Sequence, residues 1–275
     1  MDITTTNSDD GQFKLQPDSQ VISDIQAIHL DSQLREQQGP RSFLDLNDLG
    51  LIRLLQLSSV SLPVGGYAFS QGMEYAIDRG WIRNSHQVNQ WVSEQLMFSL
   101  ACTDLPLLRL NMLAMEQMDN PMEEHEEVWL CLQELNDLAL ACRETKELRL
   151  TDTAMGEALG RLLRNLDMKV PFSKSEDVSF VSLFAFAANQ WQISYRSAAT
   201  GFVWSWLENQ IAAATKLVPL GQTQAQQLLT ELQSQLVEAI DKADTITEQQ
   251  IGNGLPALSI ASSRHEHMYS RLFRS

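Results

Sequence analysis

From Leu44 onward the apolar residues recur at intervals of three and four, the period of an α-helix with one buried face. Val88, Trp91, Val92, Leu96 and Leu100 share a face, and Ser85 stands where a helix cap is needed. Val128, Cys131, Leu132, Leu135, Leu138, Ala139 and Cys142 form a second stripe, begun by the carboxylates of Glu123 to Glu127, which suit a helix N-terminus. Met155, Ala158, Leu159, Leu162, Leu163 and Leu166 form a third, after Thr151-Asp152, and Pro171 closes it. Val203, Leu207, Ile211, Ala214 and Leu217 lie on a fourth, ended by Pro219 and Gly221. Leu228, Leu232, Leu236, Ala239 and Ile240 give a fifth, from Thr223 to about Ala243. Two shorter helices are expected earlier, one ending near Ser58 and one running to Arg79, where Gly80 is a natural stop. No segment alternates apolar with polar residues. The class expected is all-α, a single-domain irregular helical bundle of eight to ten helices.

The first stretch of the chain does not share this period. Residues 1–44 are rich in Ser, Thr, Asp and Gln, so they are expected to form a disordered leader, with 45–275 as the helical domain. Val21 to Leu34 supports at most one weak amphipathic helix. Twenty Lys and Arg stand against 35 Asp and Glu among 275 residues, a formal charge of −15. That balance argues against holding nucleic-acid phosphates or anionic membranes. Met1 to Asp10 carries neither the positive charge nor the apolar run of a secretory signal. The densest apolar run, Phe180 to Ala188, is far shorter than the ~18 residues of a membrane span. Cys102, Cys131 and Cys142 show no C-x-x-C spacing and read as reduced thiols. A cytoplasmic protein is expected.

The sequence carries few groups arranged for chemistry. No phosphate-binding Gly-rich loop is present, and Pro63, Gly65 and Gly66 follow no strand. His265 and His267 are two apart, so on a helix they point about 200° from each other and cannot chelate one ion. His125 sits among Glu123, Glu124, Glu126 and Glu127 as part of a solvated acidic face. Ser70 lacks the first Gly of a nucleophile elbow and the strand before it. Glu134, Glu144 and Glu147 read as one long helix, yet no Glu-x-x-His completes a bundle-type metal site. No catalytic residue, metal site or bound cofactor is assigned, and the chain is expected to be non-enzymatic.

Two stretches suit contact with a partner. Leu62 to Gly72 joins two helices through a turn shaped by Pro63, Gly65, Gly66 and Gly72. Phe69, Met73 and Ile77 have core spacing, which leaves Tyr67, Ser70, Gln71 and Glu74 for other faces. At the other end, Arg264, Tyr269, Arg271, Leu272, Phe273, Arg274 and Ser275 place three Arg, a Tyr and a Phe at the close of an acidic sequence. Arg and aromatic residues are enriched in interface cores. This tail is expected to bind a partner, Tyr269 and Phe273 inserting and Arg271 and Arg274 meeting carboxylates.

These stretches carry a resemblance. Leu54 to Glu74, reading LLQLSSVSLPVGGYAFSQGME, is similar to the N-terminal signature of the urease accessory protein UreF family. Tyr269-Ser270-Arg271-Leu272-Phe273-Arg274-Ser275 resembles that family's ending. Leu217 to Gln222, and Glu134-x-Asn136 followed by Arg143-Glu144-Thr145-x-Glu147, also fit, so the likeness runs over residues 45–275. The leader and the aromatic stretch Ser173 to Arg196 depart from the pattern.

The resemblance implies an all-helical homodimer that serves nickel delivery to urease. It implies partners UreD (UreH in some systems), the GTPase UreG and apo-urease, with this chain bridging UreD and UreG and gating GTP hydrolysis. Nickel and GTP are then handled by the complex. The tail becomes the UreD-contacting or dimer-ordering element, with the Tyr67–Glu74 turn beside it. Two alternatives stay open. One is activation of the GTPase by an arginine in trans, from Arg143, Arg264, Arg271 or Arg274. The other is direct nickel carriage by His265 and His267 paired across a dimer axis.

Overall fold

The computed structural model describes residues 48–116 and 126–275. The expected leader, Val21 to Leu34, and the acidic run at Glu123 to His125 lie outside the described residues. Within them the periodicities become ten α-helices, with no strand among the described residues: α1 (Asp48–Leu57), α2 (Met73–Asp78), α3 (Ser85–Phe98), α4 (Asp104–Glu116), α5 (Glu126–Ala141), α6 (Lys146–Asn165), α7 (Phe180–Gln190), α8 (Tyr195–Leu217), α9 (Gln222–Thr245) and α10 (Pro256–His265). The fold is all-α, as the apolar spacing predicts.

α7 is the centre. Every residue from Phe180 to Ala188 is buried, because a helix that is apolar all round must be covered on all sides. α4, α5, α6 and α8 cover it. Phe184 meets the Phe202 ring edge-on at 5.2 Å, and Phe180 stacks on Phe202 at 5.8 Å. α8 and α9 pack together outside this layer, and α9 also covers α3. Pro219 lies between α8 and α9, and Gln224 Oε1 accepts the Gly221 N–H at 3.0 Å at the α9 start.

A buried helix start is costly unless its free N–H groups find acceptors. Asp152 reaches across from α6, its Oδ1 accepting the Phe180 N–H at 2.9 Å and its Oδ2 the Ser179 hydroxyl at 2.7 Å. Asn136 Oδ1 accepts the Ser179 N–H at 2.8 Å. The carboxylate of Asp152 in turn meets Arg143 Nε at 2.9 Å, and Arg143 also reaches Asp104 at 2.6 Å. Burial disfavours the Arg143 charge, but the two flanking carboxylates outweigh burial and push its pKa above the ordinary value. α6 can come this close only because Gly156 has no side chain: a Cβ there would overlap the Val178 carbonyl oxygen.

Four points differ from the sequence reading. Asn84, not Ser85, caps α3, its Oδ1 accepting the Gln87 N–H at 3.0 Å. α6 starts at Lys146 rather than after Thr151-Asp152, because Thr145 supplies the cap, accepting the Leu148 N–H at 3.1 Å. Glu134, Glu144 and Glu147 therefore do not share one helix: Glu134 is on α5, Glu147 on α6, and Glu144 lies between them. Lastly, Ser85–Glu116 is long and apolar enough to meet the length and composition of a membrane span. Its most apolar window is 72% buried inside the fold, as the core position of α4 requires.

Gly156→Ala is expected to lower stability by about 2 kcal/mol or more, because the added methyl forces α6 off the α7 entry. Urea unfolding measures this, and an unchanged midpoint would contradict the close approach.

Candidate functional site

The turn between α1 and α2 is built to be covered. A 3-10 turn at Gly66–Ala68 leads into Phe69, which is buried, and Gly72 (φ +80°) carries the chain into α2. Gly72 is constrained twice, since its φ is left-handed and a Cβ would lie 3.1 Å from the Ser262 backbone nitrogen on α10. Gln71 is held at φ 49°, its Oε1 accepting Trp206 Nε1 at 2.9 Å and Gln210 Nε2 at 3.1 Å.

The segment after α10 folds back onto this turn. Leu272 N–H donates to Glu74 Oε1 at 2.6 Å, and Phe273 N–H to Glu74 Oε2 at 3.0 Å. Arg274 N–H donates to the Ala68 carbonyl at 2.9 Å, with its guanidinium 5.6 Å from the Phe69 ring centroid. Phe273 is buried, with Lys216 Nζ 5.4 Å from its centroid. The backbone oxygen of Ser275 accepts the N–H groups of Ser70 (2.5 Å) and Gln71 (3.2 Å) and the Ser70 hydroxyl (3.0 Å). Ser275 Oγ bonds Thr151 Oγ1 on α6.

Beneath the tail lies a buried charge cluster. His265, fully buried at the end of α10, places Nε2 2.8 Å from Glu74 Oε2 and Nδ1 2.8 Å from Glu147 Oε2. Arg271 donates to Glu147 Oε1 at 2.9 Å. Thr145 Oγ1 and Ser262 Oγ are 2.7 Å apart, and Lys146 meets Glu266 at 2.5 Å on the outside. A cleft of about 110 Å³ adjoins this region, lined by Gln71, Asp104, Arg143, Asp152, Trp206 and Gln210 among others.

The residues expected to face a partner therefore divide. Tyr67 (58% exposed), Tyr269 (106%) and Leu272 (65%) point outward, with Arg264 and Arg274 also exposed. Ser70, Glu74, Phe273 and Ser275 are buried, and Gln71 is half-buried, because the turn and the tail cover each other. Arg271 pairs with Glu147 of its own chain rather than standing free. For the metal reading, His265 is sealed with both ring nitrogens engaged, while His267 is exposed. Among the described residues no group of three or more His, Cys, Asp or Glu is placed to hold a metal ion. Arg143, a candidate finger, is 14% exposed and committed to Asp104 and Asp152. The internal roles of Glu74, Glu147 and His265 leave no mark on local spacing, since they meet across 118 and 191 positions.

A sequence model of the UreF family matches residues 82–233. A Marinomonas sp. (strain MWYL1) protein named urease accessory protein UreF is 60% identical over 228 residues, 83% of this chain and 95% of its own length. The chain belongs to the UreF family. Proteins of the same name from Teredinibacter turnerae (44% over 231 residues, 82% and 98%) and Alkalilimnicola ehrlichii (42% over 225 residues, 81% and 95%) are similar over the same extent. In this UreF-family chain the matched region spans α3 to α8 and much of α9, the scaffold on which the turn and tail meet.

Replacing Glu74 by Ala removes the acceptor of two tail N–H groups and of His265. Stability is expected to fall by about 4 kcal/mol or more, given roughly 1.5 kcal/mol or more for each of the three bonds to a charged group. Tryptic cleavage at Arg271 and Arg274 should become fast while far-UV circular dichroism stays helical. Wild-type cleavage rates in the variant would contradict the tail's attachment.

Proposed function

We propose that this chain is a non-catalytic urease accessory protein that acts as an adaptor in nickel insertion into apo-urease. It bridges UreD (UreH) and the GTPase UreG, and gates GTP hydrolysis from a cytoplasmic homodimer. Membership of the UreF family supports the general role. One structural observation supports the site: the tail is bound down along its backbone while Tyr67, Tyr269 and Leu272 stand outward beside it.

The physical logic is preorganisation. An exposed aromatic on a free tail would lose much conformational freedom on binding, which weakens the complex. Here Glu74, Ala68 and Ser70 already hold the tail backbone, so outward side chains are offered from a fixed frame. Tyr and Leu then supply apolar area, and Arg264 and Arg274 supply planar donors for partner carboxylates. The formal charge of −15 favours a basic face on the partner.

This reading favours UreD as the partner seated on the turn and tail. Removing residues 268–275 should abolish co-elution with tagged UreD on a sizing column. Tyr269→Ala with Leu272→Ala should weaken binding by about tenfold or more, with thermal stability unchanged, because both side chains are exposed in the free chain. Full affinity in the double variant would move the partner surface elsewhere.

A further inference from the structure

The cluster under the tail contains a donor count that fixes a proton. An ionised carboxylate only accepts hydrogen bonds, and a neutral imidazole offers one donor nitrogen and one acceptor nitrogen. Glu74 Oε2 and Glu147 Oε2 each lie 2.8 Å from a different ring nitrogen of His265. With both carboxylates ionised, both bonds are made only when both ring nitrogens carry hydrogen.

We infer that docking of the C-terminal segment, Pro256–Ser275, takes up one proton at His265, whose imidazolium then bridges Glu74 of α2 and Glu147 of α6. The charges facing that ring are these two carboxylates and Arg271 from the tail, so two positive charges meet two negative ones in a buried site. On the same helix end, Arg264 points to solvent and Glu266 is turned to Lys146. A neutral His265 leaves one carboxylate oxygen facing a bare ring nitrogen and one negative charge uncompensated, and burial makes both unfavourable.

The sign follows from the proton count. A released segment exposes its imidazole to water, where it is neutral at about pH 8. The docked state holds one proton more, so docking is favoured at low pH and weakens as pH rises from the point where a free imidazole loses its proton to the point where the docked one does. With one proton linked, the ratio of docked to released segment changes by at most about tenfold per pH unit. This deepens the proposed partner surface, because the frame that presents Tyr269 and Leu272 becomes proton-dependent. It rests on that reading only for this consequence.

The test uses the full chain alone, so its failure is distinct from failure of partner binding. Histidine-labelled protein is followed by nitrogen NMR, and amide exchange of residues 256–275 is measured from about pH 6 to about pH 9 with intrinsic rates corrected, spanning the titration of a free imidazole. Both His265 ring nitrogens should be protonated while the segment is protected, and protection should fall with the slope above. In Glu147→Gln the carboxamide N–H can donate to an unprotonated Nδ1 while its oxygen still accepts from Arg271. Protection should therefore persist and lose its pH slope. A neutral ring in the protected wild-type segment overturns the inference, as does the same slope in Glu147→Gln. Should that variant leave the segment unprotected at every pH, the wild-type ring spectrum decides by itself.

Discussion

Two carboxylates carried under the last turn of α10, Glu74 on α2 and Glu147 on α6, determine where the C-terminal segment lies. Buried acids are costly unless their oxygens are filled by donors. Here the donors come from one stretch of chain: both ring nitrogens of His265, the Arg271 guanidinium, and the N–H groups of Leu272 and Phe273. Removing the segment would leave both acids without these partners. The tail is thereby part of the folded domain and also the edge of its exposed aromatic face.

The same device recurs one layer deeper. Asp152 caps the start of the buried helix α7 and is neutralised by Arg143, which is shared with Asp104. In both places an acid from α6 satisfies backbone or side-chain donors of a later element. The first two turns of α6 thus fix both the α7 entry and the tail, with Thr151 bonding Ser275 between them. Gly156 and Gly72 let backbones approach at the two junctions, at the α7 entry and at α10. The proposed adaptor role draws on this rigidity, because an adaptor transmits little through a surface that is free to reorganise.

The helices were legible because an amphipathic period is local. Val88, Val92 and Leu96, or Leu228, Leu232 and Leu236, announce their buried faces within a few turns. Caps were less legible: Asn84 and Ser85 are both good cap residues, and only the backbone at Asn84 decides between them. The turn and tail were legible as places, through the clustering of Gly, Arg and aromatic residues. Their internal pairing was not, because Glu74 and His265 meet across 191 positions and no spacing rule links them. The outward reading of Ser70, Glu74 and Phe273 reversed for that reason: the residue types of an interface were present, but the first surface they serve is the chain's own.

The central claim is that the tail is docked in the free protein, with Ser275 against α6. A Thr151→Cys, Ser275→Cys pair tests it directly, since the two hydroxyls touch. Mild oxidation of the unpartnered chain should form the 151–275 disulfide in most molecules, identified by peptide mass, without change in helicity. Failure to form that bond, or scrambling to Cys102, Cys131 and Cys142 in its place, would contradict a docked tail.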